Sequence, residues 1–210
     1  MDKHSAQLGG ITVLPAMPER WADLEGLFGA KGAYGGCWCM YWRLPRKAFD
    51  AGKGEPHRQS LRELVDEGRV PGLLAYADGQ AVGWVSLGPR EDFPTLERSR
   101  ILKRVDDQPV WAIVCFYVAR HKRRQGVMRA LIAGAVDYAA QQGAQVVEAY
   151  PVEPAGGAYP DVYAYTGLAK TYRALGFEEA ARHSPTRPIL RKVIKSGGVS
   201  PAAVKPEQGD

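Results

Sequence analysis

The chain has 210 residues, 45% hydrophobic and 24% charged, enough for one globular domain with a substantial core and short for two. No apolar run approaches the ~18 residues of a membrane span, and the opening MDKHSAQLGG lacks the apolar stretch of a secretory signal, so a cytoplasmic protein is expected. Three cysteines (Cys37, Cys39, Cys115) are too few for a disulfide framework and read as buried thiols, and a net charge of +5 favours an anionic partner.

Residues 1–10 read as a flexible leader and 195–210, rich in Gly, Pro and Ala, as a disordered tail, which leaves 11–194 as the folded domain. Ile11 to Leu14 predicts a short strand. Pro18 opens a helix with Trp21, Leu24, Leu27 and Phe28 on one stripe. Residues 29–56, with the run GAYGGCWCMYWR, read as a long packed loop, and a second helix carries Leu61, Leu64 and Val65 to Gly68. Gly72–Ala77 and Ala81–Leu87 flank the turn Asp78-Gly79, a strong hairpin signal. Val110–Ala119 is apolar throughout, as a strand covered on both faces must be.

The densest basic run, Arg120 to Arg124, follows that strand directly, and after Gly126 the spacing of Val127, Leu131, Ala135 and Tyr138 predicts a helix. Gln145–Tyr150 reads as a strand, 151–166 as a loop rich in Pro, Gly and Tyr, and Leu168–Leu175 as a short helix ended by Gly176. Phe177–Ala181 and Ile189–Ile194 close the sequence as strands. Hairpins flank a middle in which strands and helices alternate, so the fold class is α+β with a mixed sheet.

A buried strand that ends in a basic, glycine-containing turn and opens a helix is an anion-binding device. The first helical amides have no internal partners, and the helix dipole adds positive charge there. Walker A spacing and the three-glycine dinucleotide fingerprint are both absent. Cys37 and Cys39, one residue apart, lack the spacing and the fourth ligand of a structural zinc site, with only His57 as a third candidate.

Arg123-Arg124-Gln125-Gly126-Val127-Met128 resembles the pyrophosphate-binding signature [Q/R]-x-x-G-x-[G/A] of the GNAT superfamily of N-acetyltransferases, with Met128 in place of the small last residue. The strand VCFYVAR before it, the strand VVEAY after it, and Tyr172 to Phe177, which is similar to the family's Tyr-x-x-x-Gly-Phe ending, extend the resemblance over about residues 11–194. It implies a central, mostly antiparallel sheet of about six to seven strands flanked by helices, and acetyl-CoA as co-substrate.

By that resemblance the amides of Gln125, Gly126, Val127 and Met128 hold the pyrophosphate, with Arg123, Arg124 and Arg129 nearby, and the pantetheine arm lies along Phe116, Tyr117 and Val118. It further implies direct attack of an amine on the thioester, an oxyanion held by a backbone amide, and Tyr172 as proton donor to the leaving thiolate. Glu148, on the strand beside the expected position, is the nearest candidate base, with water as the alternative. Tyr34, Trp38, Tyr41 and Trp42, and in the second loop Tyr159, Tyr163 and Tyr165, either wall an acceptor pocket or form a satellite core. The acceptor is a small-molecule amine or a protein N-terminus, and a homodimer is compatible with the family. Rival readings keep the basic turn and change its partner: an aminoacyl-tRNA donor on the same fold, or a nucleic-acid-binding module, although no aromatic interleaving or RNA signature accompanies the run.

Overall fold

A computed structural model describes residues 6–156 and 163–194. Eight strands form one sheet: β1 (Ala6–Leu8), β2 (Ile11–Pro15), β3 (Gly72–Ala77), β4 (Gln80–Pro89), β5 (Trp111–Val118), β6 (Val146–Ala149), β7 (Glu178–Arg182) and β8 (Pro188–Val193), in the order β1-β2-β3-β4-β5-β6-β8-β7. Every neighbouring pair is antiparallel except β5 with β6. The sheet is therefore mixed and mostly antiparallel, one strand wider than expected. The extra strand comes from the segment read as leader: Ala6–Leu8 folds back over the Gly9-Gly10 turn onto Ile11–Val13.

Six helices flank the sheet: α1 (Trp21–Phe28), α2 (Arg46–Ala51), α3 (Glu55–Asp66), α4 (Pro94–Glu97), α5 (Val127–Gln141) and α6 (Ala169–Arg173). Against one face lie α5 and α6, with Leu131, Ala135, Tyr172 and Phe177 packed on Val85, Ile113 and Phe116. Against the other lie α1 and α3, where Trp21, Leu24, Phe28, Leu61 and Val65 cover Leu74 and Trp84. Both apolar stripes match the sequence periodicity. The segment 29–56 is not loop throughout, since α2 forms within it and buries Phe49. No helix among the described residues is long and apolar enough to cross a membrane.

Two features of β5 create the site. Its register against β4 steps from Ser86↔Cys115 to Leu87↔Ile113, so Val114 is an extra residue that bends the strand. Its parallel pairing with β6 covers only Trp111, Ala112 and Ile113, and from there to Val118 β5 keeps its β4 partner but leaves β6. The two central strands splay apart from that point.

The position of α5 depends on Gly83 in β4. A Cβ there would lie 2.6 Å from Val127 Cγ1 and 3.1 Å from Leu131 Cδ1, so the missing side chain lets the start of the helix sit directly on the sheet.

Candidate active site

A cavity of about 1400 Å³ opens along the free end of β5, above the ~300–1,000 Å³ of ordinary small-ligand pockets. Its walls come from four places: Cys115 to Val118 of β5, the turn and first residues of α5, the segment from Ala33 to Lys53, and the second loop with the start of α6.

The turn is built as the sequence implied. A single helical turn, Arg120–Lys122, follows β5, Arg123 Nε donates back to the Val118 carbonyl at 3.2 Å, and Lys122 pairs with Asp78 at 3.2 Å. Arg124 (φ 62°) and Gly126 (φ 84°) both adopt left-handed backbone, which bends the chain sharply into α5. Gly126 caps the helix without a side-chain hydrogen bond, and Ala130 is the first amide to close a helical turn, onto the Gly126 carbonyl at 3.0 Å. The amides of Val127, Met128 and Arg129 thus have no helical partner. A Cβ at Gly126 would meet no atom within 4 Å, so that position is open above the amides. Lys122, Arg123, Arg124 and Arg129 all line the cavity beside them.

Two details of the turn refine the expectations. Gln125 turns its side-chain amide back to the His121 carbonyl at 2.9 Å, and of the turn's expected binding residues it is the one that does not line the cavity. Met128 is half-buried, packed against the core under α5 while it forms part of the cavity wall.

Phe116, Tyr117 and Val118 line the cavity. The Phe116 amide, however, donates to the Tyr165 carbonyl at 2.6 Å, so the second loop closes the splay at that point. Tyr172 is fully buried one layer behind the wall, between Phe116 and Phe177, and its hydroxyl donates to the Thr166 carbonyl at 3.2 Å. It is not on the cavity surface, although its neighbours Leu168 to Thr171 are. Burial first, and the nearby Cys115 second, push its hydroxyl well above the ordinary tyrosine range, so it is protonated at neutral pH.

Glu148 has a different job from the one expected. Its side chain, 1% exposed, is buried beside Arg90 and Tyr150 and does not line the cavity. Arg90 holds it at 2.8 Å, Arg191 at 2.7 Å, and the Tyr150 hydroxyl donates to it. Arg90 is itself buried and donates also to the Tyr150 hydroxyl, Glu97 and the Leu102 carbonyl. A carboxylate gripped by two guanidinium groups and a tyrosine hydroxyl is committed to holding these elements together.

The carboxylate that does reach the cavity is Glu153, which sequence reasoning did not single out. Arg173 first and Arg182 second hold it down to about 2, so it stays ionised. Other carboxylates are occupied in ion pairs elsewhere. Asp92 holds Arg43 and Arg69, Asp106 holds Arg191, and Asp66 holds Arg62, all outside the cavity.

The aromatic residues divide. Trp38 is core, stacked on Trp21 at 6.2 Å and edge-on to Phe28. Tyr34, Tyr41, Trp42 and Tyr165 line the cavity, joined by Phe49, which lay in a stretch read only as loop. Tyr163 is exposed and does not line it, and Tyr159 lies outside the described residues. Cys37, Cys39 and Cys115 meet at the same wall. A hydrogen bond with Cys39 and then burial raise the Cys37 thiol far above its ordinary range, and contact with Cys115 leads the causes that raise Cys39.

Known proteins are similar to this chain in sequence or in fold. Aminoglycoside N(6')-acetyltransferase type 1 of Salmonella typhimurium is 27% identical over 143 residues, covering 68% of this chain and 86% of that protein. A GNAT-family acetyltransferase structure from Listeria monocytogenes superposes with a TM-score of 0.55 at 11% identity, covering 90% of this chain and 99% of that one. The PaiA N-acetyltransferase of Thermoplasma acidophilum, solved in complex with coenzyme A, gives 0.50 at 13% identity over 88% of this chain and 99% of that one. With residues 38–160 matched by the model of the acetyltransferase (GNAT) family, and a splayed sheet with an uncapped helix start to go with it, this chain belongs to that family.

Proposed function

We propose that this acyltransferase moves an acetyl group from acetyl-CoA to a primary amine, with both substrates bound together. The observation that carries the reading is the uncapped start of α5, where three free amides and the side chains of Arg123, Arg124 and Arg129 meet at one end of a cavity that follows β5. These residues fit a diphosphate: the amides point outward, the dipole is favourable, and the open position at Gly126 admits close approach. Acetyl-CoA supplies the activated thioester carbonyl. The chain's own part is to hold the donor against Phe116, Tyr117 and Val118, to bring the amine within reach, and to manage two protons.

Tyr172, kept protonated by burial, is the donor to the leaving sulfur, reached when its hydroxyl exchanges the Thr166 carbonyl for the thiolate. No carboxylate on the described cavity wall is a competent base, since Glu153 is held at about 2. The attacking amine therefore gives up its proton to water in the cavity.

The acceptor is a small-molecule amine or a peptide N-terminus, and the wall favours one with an apolar or aromatic body. Tyr34, Tyr41, Trp42, Phe49 and Tyr165 surround its half of the cavity. Among the described lining residues Glu153 is the sole carboxylate, against Lys53, Lys170 and the basic turn. A polycationic acceptor such as an aminoglycoside meets charge repulsion there.

Thermal unfolding with acetyl-CoA, CoA or tRNA, followed by thiol release over a panel of amines, tests the reading. Acetyl-CoA at ~100 times its dissociation constant stabilises the fold by about 2.7 kcal/mol. Stabilisation by tRNA alone transfers the assignment to an aminoacyl-tRNA donor, and no response to any CoA ester ends the acetyltransferase proposal.

A further inference from the structure

We propose that Cys39 and Cys115 form a reversible dithiol–disulfide pair, an oxidation site for hydroperoxides in the wall of the cavity. Their sulfurs are 3.7 Å apart although the residues are 76 positions apart in sequence. A disulfide requires a closure of about 1.7 Å, to the usual ~2.05 Å bond. The two ends differ in compliance. Cys115 belongs to a central strand, paired with Ser86 and fixed by the sheet. Cys39 belongs to a loop in which Trp38 (φ 42°) and Cys39 (φ 54°) hold consecutive left-handed conformations that L-residues rarely adopt. The Trp84 indole N–H donates to the Cys39 sulfur at 3.1 Å and keeps it aimed across the gap.

Reagent access and chemistry agree. Both residues line the cavity, so a small oxidant reaches them from the substrate side. Cys115 is the more exposed of the two, with Cys39 at 3%, and takes the first step. Its sulfur attacks a peroxide oxygen: the S–O bond forms, the O–O bond breaks, and with hydrogen peroxide one water leaves. The Cys39 sulfur then displaces the hydroxyl: the S–S bond forms, the S–O bond breaks, and a second water leaves. Both thiol protons end in water, the thiol pair loses two electrons, and the peroxide gains them. A metal site is the competing use of clustered thiols, and the described residues include no group of three or more His, Cys, Asp or Glu placed to hold an ion.

The bond ties the first loop to β5 beside Phe116 and Tyr117, where the donor arm lies under the proposed function. Its effect on activity rests on that reading, whereas its formation does not. The test treats the full chain with hydrogen peroxide and maps alkylated peptides by mass spectrometry. The expected product is a linked peptide pair containing Cys39 and Cys115, two hydrogens lighter than the free peptides, reversed by dithiothreitol and missing in Cys39→Ser. Stabilisation by CoA, measured on the same samples, is expected to fall after oxidation and return on reduction. Links through Cys37 alone, or sulfinic acid at Cys115 without a link in the wild-type chain, overturn the proposal. If the link forms in a chain that never responded to CoA, the dithiol pair stands and the donor assignment fails.

Discussion

Tyr172, Glu148 and His57 show how differently a titratable side chain is used once its surroundings are known. Tyr172→Phe is expected to lower turnover at least tenfold, with the KM for acetyl-CoA within twofold of wild type, in steady-state kinetics; unchanged turnover removes the hydroxyl from the mechanism. Glu148→Ala leaves Arg90 buried without its closest carboxylate, a loss of about 3–5 kcal/mol in chemical denaturation. A base would instead show its loss in kcat, with the fold intact. His57 is buried against Phe49, with Nδ1 3.1 Å from the Gly36 carbonyl and Nε2 unpartnered. Desolvation lowers its pKa below the free value, so the unfolded chain takes up the proton first as pH falls. Stability is therefore full above ~6.5 and declines below it. His57→Gln is expected to flatten that decline in melting temperature measured from pH 7 to pH 5. The sequence offered Tyr172 through its place before Gly176 and Phe177, but no local pattern announced that Glu148 faces Arg90 across 58 positions.

At the scale of elements, the start of α5 sits where it does because Gly83 is bare. Gly83→Ala is expected to cost about 1–3 kcal/mol through overpacking and to raise the KM for acetyl-CoA several-fold as the helix start is pushed off the sheet. Adding Val127→Ala relieves both, which thermal unfolding and kinetics on the double variant check; no relief means that the contact with Val127 is not the cause. The helices, the Asp78-Gly79 hairpin and β5 were legible because each carries its own period or turn chemistry. The α2 and α4 helices and β1 were not. A six-residue helix such as α2 has too few turns to display a stripe, and the three-residue β1 takes its conformation from the neighbour it pairs with. The strand bend at Val114 is equally invisible in sequence, being a mismatch between two strands rather than a property of either.

For the molecule as a whole, charge is concentrated rather than spread. The basic turn, Lys53 and Lys170 collect at one cavity, while most remaining cations on the described surface are consumed in ion pairs such as Arg182 with Glu153 and Glu179. Acetyl-CoA binding is expected to weaken about tenfold or less between 50 and 200 mM salt, as titration calorimetry would record. A site tracking six or more phosphates of a nucleic acid would lose ~10³-fold or more over the same range. The family was readable from the order of elements and one six-residue motif, whereas the composition of the cavity was not. Its wall draws on segments more than a hundred residues apart, Tyr41 and Tyr165 among them, which only the folded sheet brings together.

The bond from the Phe116 amide to the Tyr165 carbonyl has a consequence for solubility. A strand that outruns its neighbour offers bare main-chain groups to any other extended polypeptide, the usual seed of edge-to-edge aggregation. By lending one carbonyl to that exposed ribbon, the second loop gives the resting enzyme a stopper against sticking to its own kind.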